Sequence, residues 1–170
     1  RKSILEKVEG FDERFQSGWR EDHDLHFRLL KIRASIGRAP EALVIQPVRP
    51  ARWGASLFQL KKMAFDALLY KKHPQLYRQK VGAAPRWDYC AVVAALLLTL
   101  SGLVAGSDPV AATGATAWLL LTAMFFGKRL RGTSRSPSHI AELLITSALI
   151  PPLAVFWRIA GAIRFRVRFA

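Results

Sequence analysis

Two hydrophobic patterns divide the chain. Up to about residue 86 apolar residues recur at helical spacing among charges, and beyond it they form long uncharged runs. Ile4, Leu5 and Val8 predict a short helix with one buried side, ended by Gly10. Leu25, Leu29 and Ile32, widened by Phe27 and Leu30, predict an amphipathic helix from Arg20 to near Ile32 or Arg33. The stretch Ile36 to Ile45 is interrupted by Pro40 and closes on Leu43-Val44-Ile45, a short run suited to a strand at a sheet edge. From Ser56 to Lys72 the apolar residues Leu57, Leu60, Ala64 and Leu68 share one side, with Lys61, Lys62, Lys71 and Lys72 among them. Such a helix either packs on the domain or lies in a headgroup layer, its lysines reaching anionic lipid. His73-Pro74 ends it, and residues 75–86, with Gly82 and Pro85, make the domain boundary.

The second half reads as membrane. Tyr89 to Gly106 and Val110 to Gly127 are two eighteen-residue runs without a charge, each just long enough to span hydrocarbon as a helix. Trp87 and Tyr89 stand where interfacial aromatics belong, and Ser107-Asp108-Pro109 is a tight turn. The pair is a helical hairpin. Basic residues precede the first span and follow the second at Lys128-Arg129-Leu130-Arg131, so both flanks are expected on the cytoplasmic side. A third helical segment is expected near 140–163: its apolar run, Ile140 to Trp157, carries one charge, Glu142, near its start and Pro151-Pro152 in its middle, and Arg158, Arg164, Arg166 and Arg168 follow the run. A full third span would carry this basic tail outside, against the charge rule. The segment therefore breaks at the prolines and re-enters, or lies at the interface, or violates the rule.

Composition moves the weight further from nucleic acid towards membrane. Lys plus Arg outnumber Asp plus Glu by 26 to 12, and 51% of the residues are hydrophobic. The basic surplus is split, with 18 basic against 9 acidic residues before Asp88 and 8 against 3 from there on, so no single basic arm accounts for it. The one cysteine, Cys90, excludes a disulfide framework and a thiolate metal cluster.

The candidate chemistry lies in Gly18-Trp19-Arg20-Glu21-Asp22-His23-Asp24-Leu25. Glu21, Asp22 and Asp24 open the amphipathic helix, where unpaired backbone N–H groups and the helix dipole favour negative charge for structural reasons alone. Glu21-Asp22, however, follows Gly18-Trp19, a pair that allows close backbone approach and supplies an aromatic wall. A carboxylate at the mouth of such a pocket is a candidate general base. His23 and His26, three apart, could with Asp22 ligate a metal, although two histidines at that spacing are more often surface residues. Arg49 and Arg52, in a proline-rich stretch before Trp53, are suited either to phosphate oxygens or to a solvated basic loop.

Gly10-Phe11-Asp12-Glu13-Arg14-Phe15, then Glu21-Asp22-His23-Asp24-Leu25 with Arg28-Leu29, then Ala39-Pro40-Glu41-Ala42-Leu43-Val44 resemble the carboxy-terminal half of the catalytic domain of family 2 glycosyltransferases. The resemblance covers roughly residues 1–75. It implies a GT-A fold and transfer of a sugar from a nucleotide donor to an acceptor hydroxyl with inversion. It matches Asp22 to the aspartate that takes the acceptor's proton. It also implies that a nucleotide-binding half with an Asp-x-Asp metal motif precedes Arg1, so the chain is expected to be a fragment and inactive alone. Two positions depart from the family pattern. Arg33 stands where a helix-ending glycine is common, and Gln46 where a metal-binding histidine is common, which leaves dependence on Mg or Mn open.

The sequence thus predicts an α/β chain, a partial GT-A domain at 1–86 with an amphipathic interfacial helix near 56–72, followed by an α-helical transmembrane region at 87–170. The expected activity is that of a multi-pass enzyme of the cytoplasmic membrane, catalytic part inside, acting on a nucleotide sugar and a lipid-linked or cell-envelope glycan acceptor. Asp22 is the expected base, Trp19 and Glu21 bind the acceptor, Arg49 and Arg52 the phosphates, and nucleic acid is not an expected partner. The rivals are a non-catalytic membrane scaffold with a basic cytoplasmic domain, a nucleic-acid-binding module, which would need its basic residues gathered on one soluble face, and a transporter fragment, which would want buried charges within the spans.

Overall fold

The computed structural model describes residues 2–37, 39–45, 47, 52–82 and 84–168. Among them every regular element is helical: α1 (Lys2–Lys7), α2 (Glu21–Lys31), α3 (Ala55–Gln59), a 3₁₀ segment (Leu60–Ala64), α4 (Phe65–Lys72), α5 (Pro74–Lys80), α6 (Trp87–Val104), α7 (Asp108–Leu130) and α8 (Pro137–Phe165). The expected α/β architecture with a partial GT-A domain is therefore overturned. Leu43, Val44 and Ile45 stay 85, 84 and 83% exposed and form no strand. A β-branched run becomes a strand only when a neighbour completes its hydrogen-bond ladder, and no described segment offers one.

The helices of the amino-terminal part, here called the platform, close around aromatic residues. Phe15, Phe27, Phe65, Leu68, Leu69, Tyr70 and Tyr77 form its buried cluster. Of the two aromatics in Gly10–Phe15, Phe11 is exposed and Phe15 is buried in this cluster. The helical run expected over 56–72 is divided by the 3₁₀ segment, and every residue from Phe65 to Tyr70 is buried. Of the two alternatives for this stretch, α4 takes packing on the domain.

Helix α2 ends where its pattern stops, and Arg33 follows in the left-handed region at φ 53°. Its N–H bonds to Leu30 O and that of Ala34 to Leu29 O, the pair of closing bonds that usually brings a glycine to this position. Arginine here adopts a conformation that glycine takes freely, at a steric cost.

Helices α6, α7 and α8 are each long and apolar enough to cross a membrane. The first two form the expected antiparallel hairpin. A Cβ added at Gly102 would sit 2.4 Å from Ala111 N, and one at Gly114 would sit 2.5 Å from Thr99 N, so the backbones touch where side chains are absent. Tyr89 and Phe125 meet at the other end with ring centroids 5.4 Å apart. Away from that seam Leu97, Leu100, Leu103, Leu119, Leu120 and Met124 are exposed, an apolar surface that water does not favour and lipid does. Helix α8 runs unbroken through Pro151 and Pro152, and α3, the 3₁₀ segment and α4 all pack on it.

Candidate functional site

The three carboxylates that open α2 separate into two environments. Arg20, just before the helix, is left-handed at φ 73°, and Gly18 at φ 56° precedes it, so the chain turns sharply into the first helical residue. From that start Asp24 points inwards and Asp22 outwards.

Asp24 is 0% exposed. Its Oδ2 accepts from Arg28 Nε at 2.8 Å, and its Oδ1 takes His73 Nε2 at 2.9 Å and an ion pair with Lys72. Lys72 Nζ also donates to Asp12 Oδ2 at 2.6 Å, and Asp12 is forked by Arg14 at 2.7–3.1 Å. Arg28 carries the network further to the carbonyls of Val8 and Gly10. The Gly10–Phe15 segment, α2 and the end of α4 are thereby tied through one buried carboxylate. Burial pushes Asp24 up, but Lys72 and His73 outweigh it and hold the carboxyl below its ordinary range. Burial lowers His73, against the pull of Asp24. The geometry explains the sign: Nε2–H is given to Asp24 while Nδ1 is buried without a partner, so a second proton there would have nothing to bond.

Asp22 has a side chain 72% exposed. Its Oδ1 accepts from His23 N and His23 Nδ1, both at 2.8 Å. Partial desolvation pushes it up, and the His23 bonds bring it below its ordinary value, so it is an ionised carboxylate facing solvent. Trp19 is 39% exposed, its ring held by Nε1–H to Asp66 Oδ1 at 3.0 Å. Arg20 Nε donates to the same oxygen at 2.6 Å. Glu21 Oε2 and Ser17 Oγ are both buried without a partner, an acceptor and a hydroxyl left open beside Gly18. Trp19, Glu21 and Asp22 thus share the start of one helix, and Asp66 of α4 fixes its entry. Asp66 carries no signal in the sequence beyond being a lone acid in an apolar helix.

The phosphate candidates do not join this group. Arg49 and Gln46 lie outside the described residues. Arg52 is exposed in the turn before α3, next to Gly54, whose N–H bonds Glu142 Oε1 at 2.7 Å near the start of α8. Asp66, by contrast, follows Ala64, which packs on Gly161 near the end of α8. Nineteen residues of helix separate Glu142 from Gly161, about 28 Å at 1.5 Å per residue. A divalent ion does not fit the histidines of α2 either: His23 Nδ1 is taken by Asp22, its Nε2 faces Arg20 Nη1 at 3.3 Å, and His26 is exposed. Among the described residues no group of three His, Cys, Asp or Glu is placed to hold a metal.

What the arrangement offers is an ionised carboxylate three residues after a half-exposed indole, on a helix anchored two residues further on by a buried ion network. No family model, no curated protein and no solved structure matches the chain.

Proposed function

We propose that the chain is the acceptor side of a membrane-bound inverting glycosyltransferase, passing a sugar from a nucleotide donor to a lipid-linked or cell-envelope glycan acceptor at the cytoplasmic membrane. The observation that supports this reading is the contrast between Asp24, buried and fully engaged, and Asp22, ionised and 72% exposed on the same helix. A base must be fixed in position and free to meet its substrate, and Asp22 has both properties. In the proposed reaction Asp22 takes the proton of the acceptor hydroxyl as that oxygen bonds to the anomeric carbon. The bond from that carbon to phosphate breaks on the opposite side, and nucleoside diphosphate leaves. Trp19, with its ring held by Asp66, offers a stacking face for a sugar, and Glu21, next to Asp22, is the second acceptor-binding candidate.

The second reading, a membrane scaffold without chemistry, is favoured by the lack of any strand among the described residues. One experiment separates the two. The full-length gene product in membrane vesicles is assayed against a panel of nucleotide sugars, with Mg or Mn and with EDTA. Asp22→Asn keeps the shape and cannot accept a proton, so turnover is expected to fall by about a hundredfold or more, with donor affinity little changed. A variant close to wild-type in rate removes Asp22 from the chemistry. Failure to turn over any donor gives the scaffold reading.

A further inference from the structure

The position of α8 follows from what two stretches of it touch. Near its start Arg129 of α7 donates to Thr146 Oγ1 at 2.8 Å and Ser147 Oγ at 2.9 Å. Near its end Ala154, Arg158 and Ile159 line a cavity of about 220 Å³ together with Arg86, Tyr89 and Cys90 of the α6 entrance. The register of the hairpin, set by Tyr89 against Phe125 and Gly102 against Ala111, puts Arg129 level with Pro85 and Arg86. Two stretches of α8, one at Thr146–Ser147 and one at Ala154–Ile159, therefore meet the same end of the hairpin. From Ser147 to Arg158 α8 advances about 17 Å, whereas the hairpin levels those residues meet differ by about 7 Å, at 1.5 Å per residue. The helix runs across the hairpin's mouth more than along it.

Its faces agree with that direction. At 100° per residue Leu144, Ile145, Leu149, Phe156, Ile159 and Ile163, all exposed, fall within an arc of about 140°. Leu143, Thr146, Ile150, Ala154 and Gly161, all buried, lie opposite. The charged residues turn to the platform: Glu142 holds Gly54 N, Arg158 interacts with Asp66 and Tyr77, and Arg164 lies over Phe65 at 5.8 Å. The chain from Gly54 to Ala64 follows α8 from Glu142 to Gly161 and carries Gln59 and Lys61 exposed. Were α8 to cross the bilayer, this strip and its lysine would be drawn through hydrocarbon, at several kcal/mol for the charge.

We propose that α8 does not cross the membrane but lies in the interface of the leaflet that the hairpin enters. Its Leu144–Ile163 face binds the acyl region of an anionic bilayer, and the platform rests on its other side. Like the outward surface of α6 and α7, this face is apolar and exposed. Lys128, Arg129, Arg131, Arg135, Arg164, Arg166 and Arg168 then all stand on one side of the membrane, which resolves the conflict that a third span creates with the charge rule. The proposal is independent of glycosyl transfer.

The test uses the full chain in native membrane vesicles of both orientations, with Cys90→Ser as background and a membrane-impermeant maleimide. Ser136→Cys and Arg168→Cys are expected to label from the same face, opposite to the face that labels Ser107→Cys. Labelling of Ser136→Cys and Arg168→Cys from opposite faces overturns the proposal. Nitroxides at Leu144, Leu149, Phe156 and Ile163 give a second reading by oxygen and nickel accessibility. Equal shallow depths are expected. A depth at Leu149 greater than at Ile163 by about 10 Å, as a span requires, overturns it, and so does full exposure of all four to water.

Discussion

The platform and the hairpin are held together by opposite means. In the platform, three segments distant in sequence converge on Asp24, and buried charge supplies the direction: Arg28, Lys72 and His73 each take a defined oxygen. In the hairpin, α6 and α7 meet through missing side chains at Gly102 and Gly114. The difference follows from the surroundings. Water solvates the open platform, so apolar contact drives its closure and a buried carboxylate then specifies how it closes. Lipid is as apolar as leucine, so hairpin pairing has to come from close van der Waals approach.

Breaking the platform clamp carries the largest expected effect. Asp24→Asn leaves Lys72 and Arg28 facing a neutral amide, and the loss of platform stability is expected to be about 3–5 kcal/mol. It is read from amide protection in α2 and α4 of the detergent-solubilised full chain, with α6 and α7 peptides unchanged as the control. Equal loss in the hairpin would show that the two regions fold as one.

At the hairpin, Gly114→Leu puts a branched side chain where a Cβ alone meets Thr99 N at 2.5 Å. Overpacking of this kind costs about 1–3 kcal/mol, here in the separation of α6 from α7. Amide protection at the α6–α7 seam is expected to fall, while platform protection stays as it was.

Acid is expected to sharpen the contrast. The folded value of His73 lies below its ordinary 6.5, so under that pH the unfolded chain binds more protons and stability falls. Asp24 lies below its ordinary 3.8, so its contribution is complete above that pH and is lost as pH drops under it. Protection in α2 and α4 is expected to decline in these two steps, the first absent in His73→Gln. Protection at the α6–α7 seam is expected to stay flat over the same range.

The smallest effect is a gain. Arg33→Gly relieves a left-handed arginine whose closing bonds already suit glycine, and a rise of about 0.5–1 kcal/mol is expected after glycine's own entropy cost. No rise in the thermal midpoint would mean that the Arg33 side chain holds its turn by contacts that offset the strain.

The two helices of the hairpin were legible in the sequence, because length and apolarity are local properties, but the turn expected at Ser107-Asp108-Pro109 lies at residues 105–107, with Asp108 and Pro109 already in α7. Legible too were α1 and α2, whose spacing and end at Gly10 and Ile32 need no partner to be recognised. The grouping of Trp19, Glu21 and Asp22 was legible for the same reason, since neighbours at one helix start stay neighbours. Which of three adjacent acids turns inwards was not, because Lys72 and His73 lie about fifty residues away in the chain and reach Asp24 only when α4 packs on α2.

The strand at Leu43–Ile45 and the α/β fold built on it failed for a related reason: strand propensity describes a willingness to pair, and pairing belongs to the neighbour. By itself the sequence determined where helices form, which stretches avoid water and which residues share a helix start, all set within a few turns of chain. Only the tertiary structure decided that Asp24 is a buried clamp and Asp22 an exposed carboxylate, that Asp66 holds Trp19, and that α8 meets the hairpin's mouth at two stretches of its length. Those outcomes depend on contacts between segments tens of residues apart, and no local pattern encodes the directions from which such contacts arrive.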